Sequence, residues 1–555
     1  MRVRSPRTPP PSSYSHAPHH TPDIDVYDIT SRIGLPHPEG PFEPKSLSYI
    51  SLLPPEILSE IFIHCIPEGQ FPLPYQTEAP LLLTHVSSLW RSLAMSIPDL
   101  WTSLHINYKD PAEDIPAANT WLSLSGDRPL CLSIAIDFSE QPQQGILDAL
   151  CRHSKRWKHI RFEFRNLFCP PMYSLDMALN NIGELTTFEF YARDISTINL
   201  APITNILASA PKLREVTWVD DLADTDTLLQ LPLGRLTGLS LSMDHGTLDP
   251  QVLTACYNLE HIRLTRPFSL TPHMQEPLFL PKLSSINISS AIAGVLDQLV
   301  LPALREVRIH GETERPQGIG HDASPTPPHH HLAHSPTGTW DPTPLLALVQ
   351  RSACMITSLS VSPPLTEAAL LMCLRGMGTS LVSLCVEGIP VGDTLLQAMT
   401  CRWGQQGELL SMYVDGFTEA TEAWRENYDR RPLCPHLEEL ILDTRVGCTP
   451  GMLASMVESR IPRSERLDHA DGGCVTSKDL AARTGEDQMS SLKLIKVVDG
   501  HKDLQRLKAL SSLSNNPIHA ARRLNNPLTV SIIPRKATKP HTRDYFFRRK
   551  LCASR

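Results

Sequence analysis

The reading of the fold turns on "LREVTW" (residues 213–218), because its pattern returns in "LTGLSL" (236–241), "LEHIRL" (259–264), "LSSINI" (283–288) and "LREVRI" (304–309). The unit is an apolar residue, two others, a second apolar residue, one other, and a third apolar residue. Its last two apolar positions alternate as they would on a strand with one buried face. Upstream the unit appears as Trp157-Ile160-Phe162 and Leu185-Phe188-Phe190. Downstream it returns as Ile356-Leu359-Val361, Leu381-Leu384-Val386, Leu437-Leu440-Leu442 and Leu492-Ile495-Val497. Successive first positions lie 28, 28, 23, 23, 24 and 21 residues apart, then 52, 25, 56 and 55.

The short steps fall within the roughly 20–29-residue period of leucine-rich repeats, and the long ones are about two periods or carry insertions. Between the units lie helix-like stretches such as "TPLLALVQRSAC" (343–354), "LTEAALLMCLRG" (365–376) and "TPGMLASMVESR" (449–460). Strand, turn, helix and strand at this period predict a curved α/β solenoid over residues 125–510, each repeat burying its apolar face on its neighbours. Two polar stretches without periodicity, 311–342 and 463–490, read as surface insertions; lengthening a loop costs little once it is closed.

The N-terminal part is different. Ten prolines in the first 45 residues and little apolar periodicity predict a disordered leader over 1–46. Then "SLLPPEILSEIFIHCIP" (51–67) places Ile57, Leu58, Ile61, Phe62 and Cys65 on helical spacing. Pro54 and Pro55 suit a first turn, Glu56 favours the helix dipole there, and Pro67 ends the run. In "LLLTHVSSLWRSLAMS" (81–96), Leu82, Val86, Leu89, Trp90 and Leu93 form one helical stripe that stops ahead of Pro98. "DLWTSLHI" (99–106) reads as a short strand. The apolar side chains of the first helix span more than one narrow stripe, so a single partner helix leaves some of them uncovered, as in a partner-binding helix.

Residues 47–106 resemble an F-box domain. The matching residues are Leu53-Pro54, then Glu56, Ile57, Leu58, Ile61 and Phe62, then Val86 and Trp90 four apart, and the closing pair Leu100-Trp101. The closing "IPDLWTSLHI" is most similar to the F-box-like proteins abundant in mushroom-forming fungi, with Ser87 where many of them carry cysteine. The resemblance implies a small all-helical F-box followed by the solenoid, working together as a non-catalytic adaptor. The F-box would dock on a Skp-type linker and through it on a cullin, in an SCF-type cullin–RING ubiquitin ligase. The solenoid would present an unidentified protein target. The implied linker-binding residues are Leu53, Pro54, Ile57, Leu58, Ile61, Phe62, Val86 and Trp90, some of which pack the domain's own core instead. The alternative is a non-catalytic interaction scaffold whose F-box-like motif serves outside ubiquitin transfer.

Composition excludes little else. Hydrophobic content of 41% supports a sizeable core, and a formal charge of -8 over 555 residues gives no support to nucleic-acid or membrane-surface binding by the chain as a whole. The 13 cysteines, an odd count with no CxxC pair, read as reduced structural thiols. The N-terminus lacks the apolar core of a signal peptide and no run of about 18 apolar residues occurs. A soluble intracellular protein, cytoplasmic or nuclear, is therefore expected.

Histidines 321, 329, 330, 331 and 334 sit among Pro and Ser without the scaffold a metal site needs, and "DDLADTD" (220–226) lacks the glycine and distal glutamate of a calcium loop. No metal, cofactor or catalytic residue is nominated, because no GxSxG, HExxH or kinase-like set occurs. Residues 511–555 read as a basic disordered tail, ten Lys/Arg from 517 onward facing Asp544 alone. A solvated tail, a nuclear-import signal and a nucleic-acid contact are its three readings.

Overall fold

In the computed structural model each of the eleven apolar triplets places its second and third members on a strand, with the first at or just before the strand's start. Described are residues 49–66, 71–108, 111–137, 144–165, 173–193, 200–220, 225–242, 247–265, 269–270, 277–311, 340–362, 365–401, 432–443, 447–460, 492–498, 503–514 and 528–533. The leader 1–46, the stretch 463–490, nearly all of 311–342 with its five histidines, and most of 511–555 lie outside them.

The strands are β1 (Ser103–Tyr108), β2 (Leu130–Asp137), β3 (Trp157–Arg165), β4 (Thr187–Arg193), β5 (Glu215–Asp220), β6 (Gly238–Ser242) and β7 (His261–Thr265). They continue as β8 (Ser285–Ser289), β9 (Glu306–His310), β10 (Ser358–Ser362), β11 (Ser383–Glu387), β12 (Glu439–Asp443), β13 (Leu494–Val498) and β14 (Thr529–Ile533). All fourteen pair in parallel and in sequence order to form one sheet. The return segments carry helices, so the chain has the expected α/β class. The three stretches nominated as helical form Thr343–Ser352, Glu367–Met377 and Met452–Ser459.

The triplet sets the register. Ile160 and Phe162 pair with Phe188 and Phe190, these with Val216 and Trp218, then Leu239 and Leu241, then Ile262 and Leu264, and so on to Ile495 and Val497. Parallel strands in one register stack these side chains in two continuous apolar rows, all nearly or fully buried. The first triplet members make a third row, fully buried at Leu185, Leu213, Leu236, Leu283, Ile356, Leu381 and Leu437 and at most 2% exposed elsewhere. The early strands carry aromatics there. Phe162 meets Phe188 edge-on at 5.8 Å, and Phe190 lies 4.6 Å from Trp218. Such pairs add about 0.5–1.5 kcal/mol each to the area they bury.

From β4 to β13 a backbone hydrogen bond one residue before the strand links successive turns. Thr186 N donates to Lys158 O at 2.9 Å, Arg214 to Thr186 at 2.9 Å, Thr237 to Arg214 at 2.8 Å, and the series runs on to Lys493 and Glu438. It crosses both expected insertions, with Thr357 N on Arg305 O and Lys493 N on Glu438 O, both at 2.8 Å.

Helix ends are tied across repeats as well. The last carbonyls of a helix have no partner within it. Arg460, 1% exposed, donates to the carbonyls of Met399, Leu433 and Cys434 at 2.6–3.0 Å, and Arg351 donates to Leu296 and Leu299 at 2.7–3.0 Å. At helix N-termini carboxylates from a neighbouring repeat take the free N–H groups. Glu367 accepts from Gly392 and Leu395 (3.2 and 2.7 Å), and Asp503 from Gly451 and Ala454 (2.6 and 3.1 Å).

The chain divides into two units, Met1–Ile57 and Leu58–Arg555. In the first, a short 3-10 turn (Tyr49–Leu52) leads to the opening turn of a helix, α1 (Pro55–His64). Leu52 and Ile57 are exposed and Leu53 is half-buried. In the second unit the expected single helix over 81–96 is two, α2 (Leu81–Val86) and α3 (Ser88–Ser96). Ser87 parts them: its backbone is extended and its hydroxyl accepts the Trp90 N–H at 3.2 Å, an N-cap that starts a new helix. Ile97 ends α3 as expected. The "DLW" of the expected strand is a 3-10 turn, and the strand begins at Ser103.

The sheet outruns the boundaries read at both ends. β1 begins within 47–106 and pairs with β2, and β14 lies within 511–555 yet pairs with β13.

Candidate functional site

Two surfaces of the second unit carry side chains that the fold leaves available. One is on the short helices. Leu58 and Phe62 of α1 are buried, at 2% and 0% exposed, and Phe62 packs its ring 4.8 Å from the half-buried Trp90 of α3. Arg91 Nε donates to Thr84 O at 2.9 Å and fixes α3 on α2, while Trp101 Nε1 donates to Ala94 O at 2.9 Å. That small core uses the inward residues. Ile61 is 38% exposed, Leu82 44%, Val86 55% and Leu89 54%. Leu82 and Val86 are one turn apart on α2 and so share a face.

Of the second-unit residues nominated from sequence, Leu58 and Phe62 are therefore core, Trp90 is half core, and Ile61 and Val86 are open. Leu53, Pro54 and Ile57 belong to the first unit, where Pro54 and Ile57 are exposed. Leu82 and Leu89 were visible as stripe residues but absent from the nominated set. Their signal was the apolar surplus of the stripe, which a short helix pair cannot bury.

The other surface is the polar face of the sheet. Between the buried triplet members the strands present His159, Arg161 and Glu163 on β3, and Glu189 and Tyr191 on β4. Glu189, only 7% exposed, gathers its neighbours. Arg161 Nη2 stands 2.6 Å from it and His159 Nε2 2.7 Å, and the Tyr191 hydroxyl donates to it at 2.9 Å. The Arg161 guanidinium lies over the Phe71 ring at 5.0 Å and the Tyr191 ring at 5.4 Å, and Phe71 meets His159 edge-on at 4.9 Å. Burial opposes the Arg161 charge, but Glu189 and Tyr191 outweigh it and hold its pKa above the ordinary value. His105 N donates to Pro72 O at 2.9 Å, so the segment after α1 is fastened to β1 and to this cluster. Sequence reading missed the cluster, though its residues occupy the alternating positions that the triplet leaves polar.

A cavity of about 320 Å³ opens between Leu73–Tyr75, β1 and residues 113–121, with Glu113 and Asp114 at its rim. Both carboxylates sit in the first turn of the helix Pro111–Leu124, where negative charge is favourable for the helix itself. Among the described residues no group of three or more His, Cys, Asp or Glu side chains is placed to hold a metal ion, and no helix is long and apolar enough to cross a membrane. The thiols of Cys151, Cys256, Cys373, Cys385 and Cys434 are pushed up to about 12, chiefly by burial, which leaves them protonated and inert at neutral pH. No family model matches the chain, and no curated protein matches it.

Proposed function

We propose that this chain is a substrate-recognition adaptor of an SCF-type cullin–RING ubiquitin ligase, doing no chemistry itself and needing no cofactor. In this reading the helices before β1 are an F-box that docks on a Skp-type linker. The parallel sheet is the strand face of a leucine-rich-repeat-like solenoid that holds a protein target. The observation that carries it is the division of apolar side chains on the short helices. Leu58 and Phe62 are spent on the internal core, whereas Ile61, Leu82, Val86 and Leu89 are left open on α1, α2 and the start of α3. Exposed apolar residues concentrated on a few short turns are what a partner covers. The sequence resemblance names the partner. A plain interaction scaffold is what remains if the linker does not bind.

The test is capture of purified Skp-type linker by the full chain and by Val86→Glu/Leu89→Glu. Both positions are more than half exposed, so the fold tolerates the charges. Linker should come down with wild type and be lost with the variant. Equal recovery, or none from either, overturns the adaptor reading.

A further inference from the structure

We propose that the cavity between β1, the segment Leu73–Tyr75 and the helix Pro111–Leu124 binds a small organic cation. The ligand has an apolar body, an ammonium group at the mouth, and within the cavity a hydroxyl or amide that both accepts and donates a hydrogen bond.

Two unsatisfied groups carry the inference. Asn107 and Trp121 both line the cavity, and Asn107 Oδ1 and Trp121 Nε1 are buried with no hydrogen-bond partner. A buried polar group without a partner is rare and calls for an explanation. Here one group is an acceptor and the other a donor that cannot accept, and both belong to the wall of one cavity. A ligand that carries both functions, as a hydroxyl or an amide does, pairs with both. The neighbouring indole shows the contrast. Trp101 packs edge-on against Trp121 at 4.9 Å, and its own N–H is used, on Ala94 O. The Trp121 ring is held in place at 4% exposure with its donor left over.

The walls and the volume select an organic molecule over water. Leu104 and Ile106 of β1 and Ala118 of the helix give the cavity apolar sides, each at most 4% exposed. Buried water needs several polar partners, and two do not suffice to fill an apolar-walled space of about 320 Å³. That volume is at the lower end of small-molecule pockets. The wall is also formed in advance. Tyr75 N donates to Leu73 O at 2.8 Å, and the preceding Pro72 O accepts from His105 N of β1 at 2.9 Å, so binding has little of this segment left to order.

The mouth selects the charge. Glu113 is exposed and Asp114 follows it, and among the described residues no Lys, Arg or His lines the cavity. The half-exposed Tyr75 adds an aromatic face, which attracts an ammonium group. A carboxylate on the ligand would meet like charges there. The first-turn position explains why the helix carries these two acidic residues, but not why they border a cavity with a donor and an acceptor to spare.

The experiment is isothermal titration calorimetry on the full chain with tyramine, which has a phenol hydroxyl, an apolar ring and an ammonium group. Three relatives change one feature each. Para-ethylphenol lacks the charge, phenethylamine lacks the hydroxyl, and para-hydroxyphenylpropionate reverses the charge. Tyramine should bind saturably and each relative more weakly, the anion weakest. Ala117→Phe, at an exposed position on the cavity wall, should fill the space and abolish binding. Trp121→Phe keeps an aromatic ring and removes the donor, so it should weaken tyramine by about fivefold to tenfold and leave phenethylamine unmoved. Glu113→Gln should weaken tyramine by about threefold, the modest effect of an exposed charge, and leave para-ethylphenol unmoved. If Trp121→Phe unfolds, the phenethylamine comparison makes the same measurement from the ligand's side. The proposal falls if tyramine does not bind, which leaves the cavity to water, if Ala117→Phe leaves binding intact, or if any of the three relatives binds as tightly as tyramine. Val86 and Leu89 do not line the cavity, so this assay and linker capture fail independently.

Discussion

At the residue scale Arg460 is the most demanding position. A guanidinium at 1% exposure is held by the backbone carbonyls of Met399, Leu433 and Cys434, and burial lowers its pKa. Arg460→Ala should cost about 3 kcal/mol or more in urea or thermal unfolding, since it strands buried carbonyls from two separate segments. Arg460→Lys should recover little of this, because a compact ammonium cannot span the carbonyls of Met399, Leu433 and Cys434 at once. Asp393 is the pH-sensitive counterpart. Hydrogen bonds from the Thr449 hydroxyl and backbone N–H lower its pKa below the usual 3.8. A lowered folded pKa means its contribution is present above the ordinary aspartate range and lost as pH falls through the folded value. Asp393→Asn should therefore lower stability at neutral pH and flatten the acid limb of a stability-versus-pH curve, the two proteins converging as pH falls, with the slope of the neutral-to-alkaline side unchanged. Neither role was legible in the sequence, because both depend on partners 26 to 61 residues away. The division of Leu58 and Phe62 from Ile61 was hidden for a similar reason. All are apolar at helical spacing, and only the placement of Trp90 says which face is inside.

At the scale of elements the apolar triplet carried nearly everything. Its second and third members are the stacked rows, and its first is the row beneath the turn. Three strands escaped it, each for a local reason. "WTSLHI" (101–106) has the same spacing, Trp101-Leu104-Ile106, and reads as a strand by its alternation, but it stands outside the triplet series because that series is counted only from Trp157 onward. In β2 a register shift between Leu130 and Cys131 shortens the first step, so Leu130-Leu132-Ile134 shows plain alternation instead. In β14 the row is kept by Val530 and Ile532, paired with Ile495 and Val497, while the first position falls on Pro527. The one helix that proved to be two shows the opposite limit. Periodicity ran smoothly from Leu82 to Leu93, yet a single serine hydroxyl was enough to start a new helix. Ser87→Ala should cost about 1 kcal/mol, with Ser87→Asn retaining most of it, as measured by thermal unfolding of the full chain.

At the scale of the molecule the turn-to-turn hydrogen bonds decide what the long inserts can do. The bond from Thr357 to Arg305 is as short as those between adjacent repeats, although 51 residues (306–356) separate the two. Removing residues 315–336 should therefore leave the unfolding midpoint and the far-ultraviolet circular dichroism close to wild type. A large fall in either would show that the insert, and not the ladder, holds β9 to β10. The sequence showed that such inserts interrupt the period, but the continuity of the pairing across them is a property of the backbone, which no side-chain pattern displays. The same ladder has a consequence for how the chain assembles during synthesis. From β3 to β9 each new strand arrives within 28 residues of the last, whereas three of the next four steps are 52, 56 and 55. By the loop-closure relation a step of 55 instead of 23 adds only about 0.8 kcal/mol to equilibrium closure, but search time rises with contact distance. The aromatic-rich early strands can thus pair while the ribosome is still making the later ones, and they offer β10 to β14 a finished edge on which to grow, one strand at a time.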